Sequence, residues 1–151
     1  QITTGMACHL DAHMVHDALH ELDLRNVDIL FIENVGNLVC PASFDIGQHA
    51  NVLLLSVTEG DDKPAKYPVM VRAADQMLIT KTDLAPYIEE FSIPRARASV
   101  RDIRSDLPVT EVSAKTGKGL EPWLDWLAAM AAVKRAKLRR HAAAHPYLPR
   151  R

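Results

Sequence analysis

Gln76-Met77-Leu78-Ile79-Thr80-Lys81-Thr82-Asp83-Leu84 is the stretch that decides the architecture. Its first half is an apolar run suited to a strand buried on both faces, and its second half turns polar at once. A helical pattern over 84–91 follows. The same grammar recurs on either side. Upstream, Val52 to Val57 is another apolar run, followed by Thr58-Glu59-Gly60-Asp61-Asp62 and a helical pattern over 65–74. Downstream, a helical pattern over 95–105 leads to a short strand, Val109 to Val112, and then to Ser113-Ala114-Lys115-Thr116-Gly117. Further upstream, Val27 to Ile32 is broken only by Asp28, so a buried strand is expected there, with Glu33-Asn34-Val35-Gly36 after it. Leu10 to Leu24 is expected to be helical, since Leu10, Met14, Ala18 and Leu22 recur every four residues. Leu120 to about Arg140 closes the chain as an Ala- and Leu-rich helix. Strands alternating with helices make this an α/β fold with a mostly parallel sheet and helices on both faces. In such sheets ligands bind beyond the carboxyl ends of the strands, so the four polar loops form the rim to read first.

The 151 residues fit one domain, with 48% apolar and 25% charged residues. Those proportions exclude collagen-like, coiled-coil and largely disordered chains. No apolar run approaches the roughly 18 residues of a membrane span, and no signal peptide opens the chain. Two cysteines make no disulfide framework, and a cytoplasmic setting is expected. The net charge of −1 hides an asymmetry. Residues 126–151 carry seven Lys or Arg and no acid, leaving 11 basic and 19 acidic residues in the body. A solvated helix end is favoured over a surface for RNA, membrane or an acidic partner. Residues 1–133 are therefore read as the folded domain and 134–151 as a flexible basic tail. Gln1-Ile2-Thr3-Thr4-Gly5 reads as mid-domain, so a domain incomplete at its N-terminus is expected.

Thr80-Lys81-Thr82-Asp83-Leu84 has a specific chemistry. A carboxylate after a strand can accept both the ring N–H and the exocyclic amine of guanine, a charge-assisted pair that rejects adenine. The Lys81 stem can lie over the base. The spacing resembles the Asn-Lys-x-Asp motif of GTPases, with Thr80 where Asn is usual. Ser113-Ala114-Lys115 resembles their second guanine loop, whose backbone N–H meets the base oxygen. Each tetrapeptide alone is weak; in this order, each after a strand, they reinforce one another. Glu33-x-x-Gly36 resembles the Asp-x-x-Gly loop, in which the carboxylate serves Mg²⁺ through water and the glycine N–H senses the γ-phosphate. No Gly-x-x-x-x-Gly-Lys-Ser/Thr loop occurs in the 151 residues. Either that loop lies upstream of Gln1, which the mid-domain opening favours, or the chain is no nucleotidase.

Sulfur and imidazole residues form a second constellation. Cys8 and His9 are adjacent, and Cys40 follows Glu33 by seven residues. Two rim loops can lie side by side, which would bring together three ligands suited to Zn²⁺ or Ni²⁺. Buried apolar thiols are the plainer alternative. His9, His13, His16 and His20 are spaced 4, 3 and 4 and share one helical stripe. The stripe reads either as an auxiliary metal-handling face, with His13 beside the ligands and His16 and His20 as bystanders, or as a solvated polar surface.

Longer words carry a family resemblance. Cys8-His9-Leu10-Asp11-Ala12, Glu33-Asn34-Val35-Gly36-Asn37-Leu38-Val39-Cys40-Pro41 and Ser56-Val57-Thr58-Glu59-Gly60-Asp61-Asp62-Lys63-Pro64 stand in that order. Lys66-Tyr67-Pro68, Lys81-Thr82-Asp83-Leu84 and Ser113-Ala114-Lys115-Thr116-Gly117 follow. From about Gln1 to Met130 the chain resembles the HypB family of nickel-handling GTPases in [NiFe] hydrogenase maturation. The resemblance implies a P-loop NTPase-like fold of the SIMIBI type and a cytoplasmic homodimer. The intact protein would be a GTPase, and this chain, without a Walker A loop, would be inactive alone. Its partners would be the hydrogenase large subunit and other maturation factors, with neither nucleic acid nor membrane. It implies Cys8, His9 and Cys40 as metal ligands at the dimer interface, for Ni²⁺ or Zn²⁺. Glu33 and Gly36 would serve Mg²⁺ and the γ-phosphate of GTP, and Lys81, Asp83, Ser113, Ala114 and Lys115 the guanine. Lys63 and Lys66, flanking Pro64, are candidates for pairing across the dimer. Two rivals remain: a urease-accessory nickel GTPase, which shares Lys-Thr-Asp-Leu but not the Cys-His and Val-Cys-Pro words, and a metal-binding dimerisation module without turnover.

Overall fold

The computed structural model describes residues 2, 9–34, 36 and 45–144. Three parallel strands form the sheet: β1 (Val52–Ser56), β2 (Gln76–Thr80) and β3 (Val109–Glu111), in the order β1-β2-β3. Val52 to Ser56 stand opposite Gln76 to Thr80, and Met77 to Ile79 opposite Val109 to Glu111. Asn51 and Asp75 fix that register at the strand entrances. The Asn51 N–H donates to Asp75 Oδ2 at 2.8 Å, and the Asp75 N–H donates to the Asn51 carbonyl at 2.8 Å.

The elements are α1 (Ala12–His20), α2 (Lys63–Lys66), α3 (Pro68–Ala73), a 3₁₀ helix (Thr82–Tyr87), α4 (Ile93–Ile103) and α5 (Leu120–Ala144). α2 and α3 connect β1 to β2, and both contact α4, which connects β2 to β3. The main core lies on that side of the sheet. Leu53, Leu55, Met77 and Ile79 meet Val71, Phe91, Ala96 and Val100. The alternate residue of β1, Leu54, is 56% exposed, so the other face is uncovered at that edge among the described residues.

Several expectations hold. β2 matches its run, β1 and β3 each end one residue early, and α5 continues past the expected end near Arg140 to Ala144. Arg135 on α5 makes an ion pair with Asp28, so the basic helix meets the acidic body. The helical pattern over 65–74 is two helices, because Pro68 restricts Tyr67, whose φ of −126° and ψ of 59° interrupt the first. The pattern over 84–91 is the 3₁₀ helix, ending near Pro86.

Two expectations fail. Residues 27–32 are irregular, with Val27, Ile29, Leu30 and Phe31 all exposed and Phe31 at 67%. A parallel strand exists only through a neighbour's ladder, and no described strand pairs with the far edge of β1. Among the described residues Glu33 accordingly follows no strand, and the face of the sheet that buries Leu78 leaves Leu54 exposed at the β1 edge. α1 stops at His20 rather than Leu24. The Asp23 carboxylate accepts the Arg25 N–H at 3.2 Å and its guanidinium at 2.8 and 2.7 Å, which offers the backbone a local turn instead of another helical turn. At the other end Asp11 caps α1, accepting the Met14 N–H at 2.8 Å.

Candidate functional site: two loops around one cavity

The loops after β2 and β3 meet at the carboxyl rim of the sheet. The Thr82 N–H donates to the Val112 carbonyl at 3.2 Å, continuing the β2–β3 pairing past the strands. Ser113 is fully buried, and its hydroxyl donates to Asp83 Oδ1 at 2.6 Å. The same Ser113 oxygen accepts the Thr116 N–H at 3.2 Å. One hydroxyl therefore fixes both the carboxylate and the loop that faces it.

The second loop also closes on itself. The Ser113 N–H donates to the Lys118 carbonyl and the Gly117 N–H to the Ser113 carbonyl, each at 2.9 Å. This leaves the N–H groups of Ala114 and Lys115 without an acceptor among the described residues. Gly119, at φ 72°, passes so close to β3 that a Cβ would lie 1.8 Å from the Glu111 carbonyl oxygen. Only glycine fits this position.

Lys81 is the one described non-glycine residue with positive φ, at 58°. That left-handed kink turns the chain from β2 into the 3₁₀ helix. Thr80, Lys81, Asp83, Leu84, Val112, Ala114, Lys115 and Leu120 line a cavity of about 560 Å³. That volume lies within the range of small-molecule sites, about 300–1,000 Å³. The structure thus gathers Lys81, Asp83, Ala114 and Lys115, with Ser113 behind them. Of the walls Leu84, Val112 and Leu120, Leu84 ends a motif read from the sequence, whereas Val112 and Leu120 flank the second loop and carry no motif.

The loop after β1 lies on the same rim. Asp61 accepts the Ser92 N–H at 2.7 Å and the Arg95 Nε–H at 2.9 Å, tying this loop to the start of α4. Its neighbour Asp62 pairs with Lys66 at 2.6 Å, and the Lys63 ammonium lies 5.7 Å from the Tyr67 ring centroid. Both lysines thus have contacts within the chain.

Glu33 and Gly36 are exposed and lie outside the cavity lining. Cys8 and Cys40 fall outside the described residues. Leu10, two residues past Cys8, meets Asn34, six residues before Cys40: its N–H donates to Asn34 Oδ1 at 3.2 Å. The residues just before α1 are therefore beside Asn34. His9 is half-buried, and His13 is exposed with its Nδ1 3.4 Å from Asp17. Among the described residues, no three His, Cys, Asp or Glu side chains gather as a metal cluster.

A family model described as "CobW/HypB/UreG, nucleotide-binding domain" matches residues 1–111. The chain belongs to the CobW/HypB/UreG family. Within that family its reported relatives are of the HypB kind, as the sequence words implied. It is 54% identical over 127 residues to the hydrogenase maturation factor HypB of Azotobacter vinelandii, covering 84% of this chain and 42% of that one. The Escherichia coli K12 factor HypB is 51% identical over 127 residues, covering 84% and 43%. The chain thus spans about two fifths of the length of these relatives. The crystal structure of Helicobacter pylori HypB in complex with nickel superposes with a TM-score of 0.84 at 40% identity, covering 89% of this chain and 64% of that one. Archaeoglobus fulgidus HypB gives 0.79 at 42% identity, covering 85% and 67%. The P-loop GTPase-like α/β fold expected from the sequence is therefore the fold of the chain. Among the described residues, no helix is long and apolar enough to cross a membrane.

Proposed function

We propose that this chain carries the guanine-reading part and a metal site of a GTP-dependent nickel metallochaperone for [NiFe] hydrogenase maturation. One observation carries the reading: the 2.6 Å bond from Ser113 to Asp83, which joins the two loops around one cavity. The residues fit guanine. Ser113 engages Asp83 Oδ1, which retains a second lone pair, and leaves Oδ2 for a ligand. The two oxygens then accept the ring N–H and exocyclic amine, the Ala114 N–H meets the base oxygen, and the Lys81 stem covers the ring. Adenine presents the opposite pattern and would leave the Asp83 carboxylate facing an acceptor, a mismatch worth orders of magnitude in affinity.

Glu33 would hold Mg²⁺ through water and Gly36 would sense the γ-phosphate. Cys8, His9 and Cys40, with His13 nearby, would bind Ni²⁺ or Zn²⁺ as cargo at a homodimer interface. Cys40 lies seven residues past Glu33. Phosphate sensing and metal binding then share one loop, so nucleotide state changes ligand geometry and gates metal release to a hydrogenase partner in the cytoplasm. Residues 1–133 would form the GTPase portion and 134–151 a basic extension.

The test is an NMR titration of this chain with GDP, ADP and XDP. GDP is expected to shift the amides of Asp83 and Ala114, and ADP to leave them unmoved. Asp83→Asn, which replaces an acceptor by a donor, is expected to favour XDP over GDP. Equal responses to GDP and ADP would overturn the guanine reading. Nickel titration of the wild type and of a Cys8→Ala/Cys40→Ala variant tests the metal half. A thiolate charge-transfer band is expected in the wild type alone.

A further inference from the structure

We propose that His16 and His20 form a second, two-imidazole site for one borderline divalent cation of the Ni²⁺/Zn²⁺ class, with Asp17 as a positioning residue. The two residues are one helical turn apart on α1, and their Nε2 atoms face each other at 3.2 Å. Their rings are edge to face, with centroids 4.4 Å apart. Two nitrogens 3.2 Å apart, each about 2.0–2.1 Å from a shared ion, subtend about 100° there, close to a tetrahedral or octahedral bite. The pair therefore needs little rearrangement to chelate.

Asp17 supplies the outer support that ligating imidazoles usually have. Its Oδ1 lies 3.6 Å from His16 Nδ1, and its Oδ2 lies 3.4 Å from His13 Nδ1. A carboxylate on that side favours the proton on His16 Nδ1 and leaves its Nε2 lone pair for the metal. Without an ion, that lone pair accepts from His20 Nε2–H. To bind, His20 need only transfer its proton to Nδ1, with no net release. Both rings are exposed, so water completes the coordination. The same helix begins just after His9, which places this pair about 6–12 Å along the axis from its first residue. An ion can thus be captured at the surface close in sequence to Cys8 and His9. The inference does not depend on those ligands or on the nucleotide.

The test is Ni²⁺ titration of the tag-free chain carrying Cys8→Ala and Cys40→Ala, by calorimetry and by NMR of the histidine rings. One equivalent is expected to bind, broadening the His16 and His20 ring signals first. Adding His16→Asn or His20→Asn is expected to weaken binding at least about tenfold, and His49→Asn to leave it unchanged. Asp17→Asn is expected to move the His16 ring nitrogens toward the Nε2–H tautomer, which a merely helix-supporting role would not do. Unchanged affinity in the two histidine variants, or no broadening at those rings, would overturn the proposal. If the cysteine variant does not fold, the wild-type chain gives the same readout, since ring broadening is separate from a thiolate band. Failure of the thiolate site leaves the ring result standing, and the reverse also holds.

Discussion

Lys81 occupies a conformation that its side chain opposes, at φ 58° and ψ 35°. For a residue with a Cβ the left-handed region costs about 1–2 kcal/mol, whereas glycine pays instead about 0.5–1 kcal/mol of chain entropy. Lys81→Gly is therefore expected to raise stability by about 0.5–1 kcal/mol, read as a higher urea midpoint with an unchanged slope. The same variant loses the stem that would cover the base, so GDP affinity is expected to fall. A loss of both stability and affinity would show that the kink is unstrained. Ser113 makes the opposite trade. Ser113→Ala removes a donor to a carboxylate and an acceptor for Thr116, and is expected to cost about 1.5–3 kcal/mol in urea unfolding. The Asp83 amide is expected to respond to GDP more weakly in this variant. The sequence shows Asp83 and Ser113 as members of two motifs. It does not show that the serine hydroxyl holds the aspartate, because a bond spanning 30 residues leaves no local pattern.

Elements were legible where the pattern contains its own partner information. β2 is a five-residue strand around the apolar Met77-Leu78-Ile79, buried at four of its positions, and its sequence bounds equal its structural ones. Residues 27–32 carry a similar run, yet the pattern says nothing about which ladder would receive it. The division of α2 from α3 was written in Pro68, but helical periodicity masked it. α2 itself is a single turn held by its ends. The Lys66 hydrogen bond, with its charge, holds the Asp62 carboxyl below its usual 3.8, and in return raises Lys66 above 10.5. The pair's contribution is thus complete between those two values. It is lost as pH falls through the lowered Asp62 value, below 3.8, and as pH rises through the raised Lys66 value, above 10.5. Both side chains are exposed, so the contribution is small and screened by salt. The urea midpoints of wild type and Asp62→Asn are expected to differ at pH 7 and to converge below pH 3.8. They should also converge in high salt at pH 7; a gap that persists under acid would assign the difference to another contact.

At the scale of the molecule, one side of the sheet is packed and one edge of the other is bare. Leu54 in the middle of β1, together with Val27, Ile29, Leu30 and Phe31, leaves large apolar side chains in solvent. β1 is also an edge strand among the described residues, which makes it a template for pairing between copies. The chain is expected to self-associate with rising concentration in sedimentation experiments. Leu54→Lys is expected to reduce that association while changing stability by no more than about 0.5 kcal/mol. Unaltered association in this variant would point away from the β1 edge. The contact between Leu10 and Asn34 joins two segments 24 residues apart and lies at the start of α1. Its donor is a backbone amide, so its state can be timed. The Leu10 proton exchanges with deuterium slowly while Asn34 holds it and quickly when the segments part. A single isotope clock, already in the chain, thus counts how often Asn34 parts from the residues that lead into α1.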